Sequence, residues 1–449
     1  MNKIVLTTLL ICLFLNVPCS SQEATTRKYF ELENGLKVFL YERHNLPLVN
    51  VVVAVNFGSK DETEETNGLA HLLEHYILFR GTELRSGPEI SKDIRRHGAY
   101  FNAHTGEDIS LFEISIPSEY IDFALRNQKE ILFNLKLTQE DLNEEKEVIL
   151  EELSQVHDDP IKYATSLVYQ NIFKIHTYCK PIYGKRETIE AITVDQMKEF
   201  YKKYFVASNC SMAIVGDSAL GDMEKKVKAV FGDLKKEVFA APQFEKASFL
   251  EKNVELEQEM DVSQAYLVIG MTGPDYNHPD QFAIDVLTEI LGQGVNPLLN
   301  SVLRGRRDLV QTISMNYNSL KYGGVILLIF TLDPKNLSFA KSAAVDFLRK
   351  TRNENYSKED FFGENQIYAF DYLGSAKNQL KFDLQLSQEI SLSVAVSLAR
   401  YMLLDENIIK GSYLENIEKL SSSDLRKAAG QYFSRGKYVI VSIIPKKKK

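Results

Sequence analysis

Asn67-Gly-Leu-Ala-His-Leu-Leu-Glu-His-Tyr-Ile-Leu-Phe-Arg-Gly-Thr82 is the stretch from which the rest of the chain is read. Its apolar residues recur at helical spacing, so it predicts one helix. His71 and His75 stand at i and i+4 on that helix, one turn apart on the same face. Two imidazoles so placed can both reach one zinc ion at about 2.0–2.1 Å. Glu74 follows His71 by three residues, on nearly the same face. From there a carboxylate can touch a water on the metal without ligating the metal itself. The order His-x-x-Glu-His inverts the usual zinc-protease helix and keeps its chemistry.

A catalytic zinc needs a third protein ligand and one open position. The candidates lie on Asp141-Leu-Asn-Glu-Glu-Lys-Glu-Val-Ile-Leu-Glu-Glu-Leu-Ser154. Glu145 and Glu152 are seven apart, about 700° around a helix, so within about 20° of one face. Either could approach a site from that side, and Val148, Ile149 and Leu153 are expected to dock the helix. Taken alone, a His-x-x-x-His pair also fits a satisfied core pair, and an acidic run also fits a solvated helix face.

Outward from these helices the chain reads as mixed α and β. Asn50 to Phe57, Asp108 to Ile116 and Ser211 to Asp217 are short β-branched runs, hence strands. Helical patterns cover roughly 118–134, 138–156, 159–174 and 193–204. A weak repeat is present. The helix from Thr193 to Phe205 leads into the strand ending near Val215. The similar helix from Ser421 to Phe433 leads into Tyr438 to Ile444, 228 residues further on. The expected fold is α+β, with two homologous domains, each a mainly antiparallel sheet with helices packed on one face. Residues 22–240 would form the domain with the histidine helix, 241–260 a polar linker, and 261–449 the second domain.

Composition sets the class. With 449 residues, 44% hydrophobic and 25% charged, the chain is globular and too long for one ordinary core. A net charge of −8 without a basic stripe argues against nucleic acid as a partner. Lys3, the apolar run Ile4 to Leu15 and the small residues after it predict a secretory signal over residues 1–21. That run of about 12 residues is too short to span a bilayer as a helix. Export to a periplasm or beyond follows, with Cys19 as an alternative lipid-anchor site. The mature chain then keeps Cys179 and Cys210, too few for a disulfide framework and read as buried free thiols.

The ordered set of motifs resembles the pitrilysin family of zinc metallopeptidases, in its half-length form. His71-Leu-Leu-Glu-His75, followed after 76 residues by Glu152, resembles the family's metal signature. Phe57 to Glu62, Gly98-Ala-Tyr-Phe-Asn-Ala-His-Thr105, His176 to Gly184 and Val215-Gly-Asp217 are similar to its further segments in the same order. The resemblance implies one zinc ion per chain, held by His71, His75 and Glu152, with Glu74 as the base and Glu145 supporting the site. It also implies hydrolysis of extended peptides in a chamber, with Asn102 and Ala103 alongside the substrate. A fold relative that has lost turnover and serves as scaffold is the alternative. One departure stands out. Arg304 fits a family Arg that binds the substrate carbonyl, but Gln311 stands where a Tyr is expected seven residues later. Phe112 likewise stands for an aromatic that usually carries a hydroxyl. The resemblance therefore implies a partner: a homologous subunit lacking the zinc motif and carrying the Arg/Tyr pair, a heterodimer in preference to a homodimer.

Overall fold

The computed structural model describes residues 26–294, 297–305, 308–354, 356, 371–404 and 413–446. The predicted signal and Cys19 lie outside the described residues. No helix among those described is long and apolar enough to cross a membrane. The first half runs β1 (Arg27–Glu31), β2 (Lys37–Glu42), β3 (Leu48–Val55), α1 (Leu69–Phe79), α2 (Gly87–Arg96), β4 (Tyr100–Thr105) and β5 (Ser110–Pro117). It continues through α3 (Ile121–Phe133), α4 (Gln139–Asp158), α5 (Pro160–Ile172), α6 (Arg186–Ala191), α7 (Val194–Tyr204), β6 (Cys210–Gly216) and α8 (Leu220–Phe231). The second half holds β7 (Val254–Met260), β8 (Ala265–Gly273), α9 (Gln281–Thr288), β9 (Thr312–Leu320), β10 (Gly323–Leu332) and α10 (Leu337–Lys350). Then follow α11 (Tyr372–Glu389), α12 (Ser391–Leu404), α13 (Tyr413–Lys419), α14 (Ser422–Ala428) and β11 (Val439–Pro445).

The two sheets repeat one topology. The first has the order β1-β2-β6-β3-β5-β4 and the second β7-β11-β8-β10-β9. In each, one parallel pair (β2 with β6, β7 with β11) sits in an otherwise antiparallel ladder. The repeat seen in sequence is the helix that feeds the closing strand. Thr193 and Ser421 cap α7 and α14 through their hydroxyls, with Gln196 and Asp424 reaching back to the cap amides. Strand β7 falls inside the stretch 241–260 expected as linker. Its residues Val254 to Met260 pair with Val439 to Pro445, so the linker's end is a sheet edge.

Strand β3 is buried along nearly its whole length, which requires cover on both faces. Val49, Val51, Val53 and Val55 face a core built with α1, α3, α7 and α8. Val52 and Ala54 face Ala395, Ala399 and Met402 of α12, which comes from the second half. The exchange is reciprocal. Helix α5 of the first half lays Ala164, Val168 and Ile172 on Val268, Val325 and Val441 of the second sheet. Gly270 permits this approach, since a Cβ there would stand 2.1 Å from Val168 Cγ1. Each half keeps its other helices on one face of its own sheet and gives one helix to the opposite sheet.

A buried carboxylate ties the halves together close to the candidate site. Asp108 accepts from the Tyr178 hydroxyl at 2.5 Å and from the Lys321 amide at 2.8 Å. The Tyr322 amide in turn donates to the Tyr178 oxygen at 3.2 Å. Asp108→Ala should therefore strand buried donors and cost about 2 kcal/mol. Urea unfolding of the variant checks this, and an unchanged midpoint would show that the network carries no stability.

Candidate metal centre

Helix α1 starts at Gly68, whose φ of 95° and close contact with Gly184 leave no room for a side chain. Its first amides are taken by a carboxylate from outside the helix. Glu62 accepts from the Gly68 and Ala70 amides at 2.9 and 2.7 Å and from Asn67 Nδ2 at 2.8 Å. Burial pushes the Glu62 carboxyl up to about 8, with those donors pulling the other way. The helix is buried almost all round, so His71 and Glu74 are enclosed and His75 is half-buried.

The two histidines converge on Glu152 of α4. Its Oε2 lies 3.7 Å from His71 Nε2 and 3.3 Å from His75 Nε2. The rings stand 4.7 Å apart at 72°. Donor atoms of His71, Glu74 and His75 all lie within 4.8 Å of one another. Glu145, one side of the same helix, is fully buried behind His75. It receives the His75 Nδ1 proton at 3.1 Å and the Arg80 Nε proton at 2.6 Å. The predicted set is thus assembled with Glu152 facing the space between the rings and Glu145 holding one ring from behind.

The chemistry of this donor set fits a metal ion better than it fits a core pair. Among the described residues His71 Nδ1 is buried with no hydrogen-bond partner, so the ring is not a satisfied core histidine, though it also lacks an acceptor of the kind that Glu145 gives His75. Burial, and then the charge of His75, depress His71 to about 4, which leaves a neutral imidazole with a lone pair. Burial also opposes charge on His75, but Glu145, Glu152 and Glu74 outweigh it and lift the ring to about 9. Holding a divalent ion there requires His75 to release its Nε2 proton. Glu152 is held below the usual carboxylate range by His75.

Glu74 lies within the same cluster but has a partner of its own. Thr105, the last residue of β4, donates to Glu74 Oε2 at 2.5 Å. Burial raises the Glu74 carboxyl, which makes it a better proton acceptor than an exposed one. Strand β4 is the edge of its sheet, so one side of its backbone has no partner strand. Ala103 is buried on it, and Asn102 Nδ2 meets the Tyr100 hydroxyl at 3.0 Å. An open edge ending at the residue that holds Glu74 can accept an extended peptide.

Some expectations need correction. Phe112 lies on β5, opposite Ala103, and its ring is sealed in the core against Phe205. Val148 is exposed, and α4 docks instead through Leu142, Ile149, Leu153 and Val156. Arg304 is exposed at the end of a π-helical turn, Asn300–Gly305, and Gln311 is exposed just before β9. Among the described residues no hydrogen bond or ion pair joins either side chain to the histidine cluster. Cys210 is buried and Cys179 half-buried, and both are free thiols. Four residues were not read as parts of the site from sequence: Glu62, Arg80, Thr105 and Tyr183, whose ring meets His71 edge-on at 5.0 Å. Each acts through a contact between segments far apart in the chain or just outside the motif, which spacing alone does not reveal.

Glu145→Gln keeps an acceptor for His75 but loses the pair with Arg80. Zinc affinity should fall roughly 10–100-fold, by chelator competition, and less than in Glu152→Gln. The reverse ranking would exchange the roles of the two carboxylates.

Known proteins bear on this arrangement. The profile described as insulinase (peptidase family M16) matches residues 37–186, and that described as the peptidase M16 inactive domain matches residues 191–363. A Rickettsia bellii protein described as an uncharacterized zinc protease is 26% identical over 414 residues, covering 90% of this chain and 94% of the relative. A probable mitochondrial-processing peptidase subunit beta of Arabidopsis thaliana is 24% identical, covering 92% of this chain and 77% of the relative. The crystal structure of a protease from Helicobacter pylori superposes with a TM-score of 0.84 at 24% identity, over 93% of this chain and 99% of the other.

Proposed function

Because the chain belongs to the insulinase (M16) family of peptidases, we propose that it is a zinc-dependent endopeptidase acting on unfolded or extended peptides. The supporting observation is the convergence of His71 Nε2 and His75 Nε2 on Glu152 Oε2, with Glu74 beside them accepting from Thr105. His71, His75 and Glu152 would hold one zinc ion. Bound there, zinc would polarise the scissile carbonyl and lower the pKa of water toward roughly 7. The open edge of β4, with Asn102 and Ala103, aligns the peptide backbone. Glu74 takes a proton from the attacking water and delivers it to the leaving amine. Glu145 fixes the His75 ring and Arg80 fixes Glu145.

Two further parts belong to the same proposal. Residues 1–21 export the chain, with Cys19 as the alternative anchor. The carbonyl-binding Arg/Tyr pair, incomplete here at Gln311, is supplied by a homologous subunit that lacks the zinc helix. The test is to load the purified chain with zinc and offer an unstructured peptide, alone and together with such a subunit. Cleavage that follows zinc occupancy is expected. A loaded site with no cleavage in either mixture would leave the scaffold reading in its place.

A further inference from the structure

Beside the metal centre lies a cavity of about 700 Å³, walled by α4, α5 and the segment 179–187. Two of its residues place it next to the site. Leu153 follows Glu152 on α4, and Tyr183 has its ring against His71. The cavity is mostly apolar, yet four cations line it: Lys162, Lys180, Lys185 and Arg186. Lys185 is drawn off by Glu64 at 3.4 Å, and Arg186 by Glu190 at 3.5 Å. Lys162 and Lys180 have no ion pair among the described residues. Lys162 is close enough for its charge to act on Glu152.

Lys180 is the unusual member. It is only 7% exposed, and its Nζ makes no hydrogen bond or ion pair among the described residues. Its charge is felt by Glu62, but the oxygens of that carboxylate are already taken by three N–H donors. The stem of Lys180 is buried, but its ammonium is not among the sealed polar atoms and stays open to a counter-ion that enters the cavity. Two carboxyls also line the wall, Glu107 and Glu187. Glu107 is pushed toward its neutral form by burial and by Asp108, and so offsets the lysines less than an exposed glutamate would.

We propose that this cavity is a substrate subsite for a carboxylate, with Lys180 and Lys162 as its two cationic contacts. The proposal rests on the peptidase reading for the word substrate. The carboxylate is either an acidic side chain of the peptide or the peptide's own C-terminus, and the two share this chemistry. A charge-assisted hydrogen bond in a half-enclosed apolar site favours the acid over its amide roughly ten- to hundredfold.

The test measures binding, so that it does not depend on turnover. Fluorescein-labelled decapeptides carrying Glu, Gln or Lys at successive positions, each with a free or amidated C-terminus, are titrated against the zinc-loaded Glu74→Gln chain by anisotropy. A Glu-over-Gln preference at one position assigns a side chain. A free-over-amidated preference assigns the C-terminus. Lys180→Met should abolish the preference, Lys162→Gln should weaken it, and Lys180→Glu should turn it toward the Lys peptide. The last inversion is a result that a merely structural lysine would not give, and circular dichroism confirms that each variant folds. Indifference of the parent chain to charge at every position and terminus would overturn the proposal, as would a preference that survives both Lys180 variants. Failure of the peptidase reading is separate: peptides would then bind with a Lys180-dependent preference but stay uncut by the zinc-loaded chain with Glu74 intact, both alone and with the homologous subunit.

Discussion

Glu74→Gln is expected to keep its zinc and lose peptide turnover by roughly 10²–10⁴-fold, the range for removing a positioned acid–base group. The carboxylate is held by the Thr105 hydroxyl, and the two imidazoles point at Glu152 instead. Glutamine occupies the same volume and can still accept from Thr105. It cannot take a proton from water, so geometry survives while the chemistry stops. Zinc content by atomic emission and single-turnover cleavage must be measured on the same sample. Loss of metal along with activity would make Glu74 a ligand, which its place within 4.8 Å of both histidines permits geometrically. Full activity with full metal would remove it from the reaction altogether. Thr105→Val is the companion variant. It leaves Glu74 in place without its hydroxyl partner, so its effect should be the smaller of the two.

The helix of His71 and His75 was legible because both the metal face and the buried face follow from one period of 3.6 residues. The register of α4 was legible for the same reason: a seven-residue step returns Glu145 and Glu152 to one side. What periodicity does not give is depth. Glu145 is buried and Glu152 half-exposed, since α4 crosses α1 so that one turn lies behind His75 and the second turn after it lies over the gap between the rings. Val148 was misplaced by the same blindness, because it neighbours the true stripe of Leu142, Ile149 and Leu153 without belonging to it. The helix exchange was also out of reach. Apolar faces on α5 and α12 state that each helix must be covered, not which sheet covers it. Likewise Val254 to Met260 is too short and too charged to be told from linker until Val439 to Pro445 is beside it.

Gln311→Tyr, or addition of a homologous subunit with an intact Arg/Tyr pair, is expected to raise turnover by roughly 10²–10³-fold, the usual effect of one carbonyl-stabilising donor. The proposed asymmetry motivates this: a complete metal-type site beside a carbonyl site with one member replaced. A glutamine amide can donate a hydrogen bond, but it lacks the acidic hydroxyl that strengthens as charge develops on the carbonyl oxygen. The backbone N–H of Gln311 donates to Thr331 O at 2.8 Å, so its backbone is fixed to the sheet and only the side chain is at liberty to move. Among the described residues no hydrogen bond or ion pair joins Arg304 or Gln311 to the histidine cluster, so a donor arriving from a second subunit has no such intramolecular pair to displace. The two arms of the experiment separate the causes. Rescue by the subunit but not by Gln311→Tyr means that the carbonyl donor comes from the second subunit and that the local pair is vestigial. Rescue by Gln311→Tyr alone means that one chain can host both halves of the site. A lone chain already fully active, and indifferent to both additions, would sink the heterodimer and leave the carbonyl donor to be sought elsewhere in this chain.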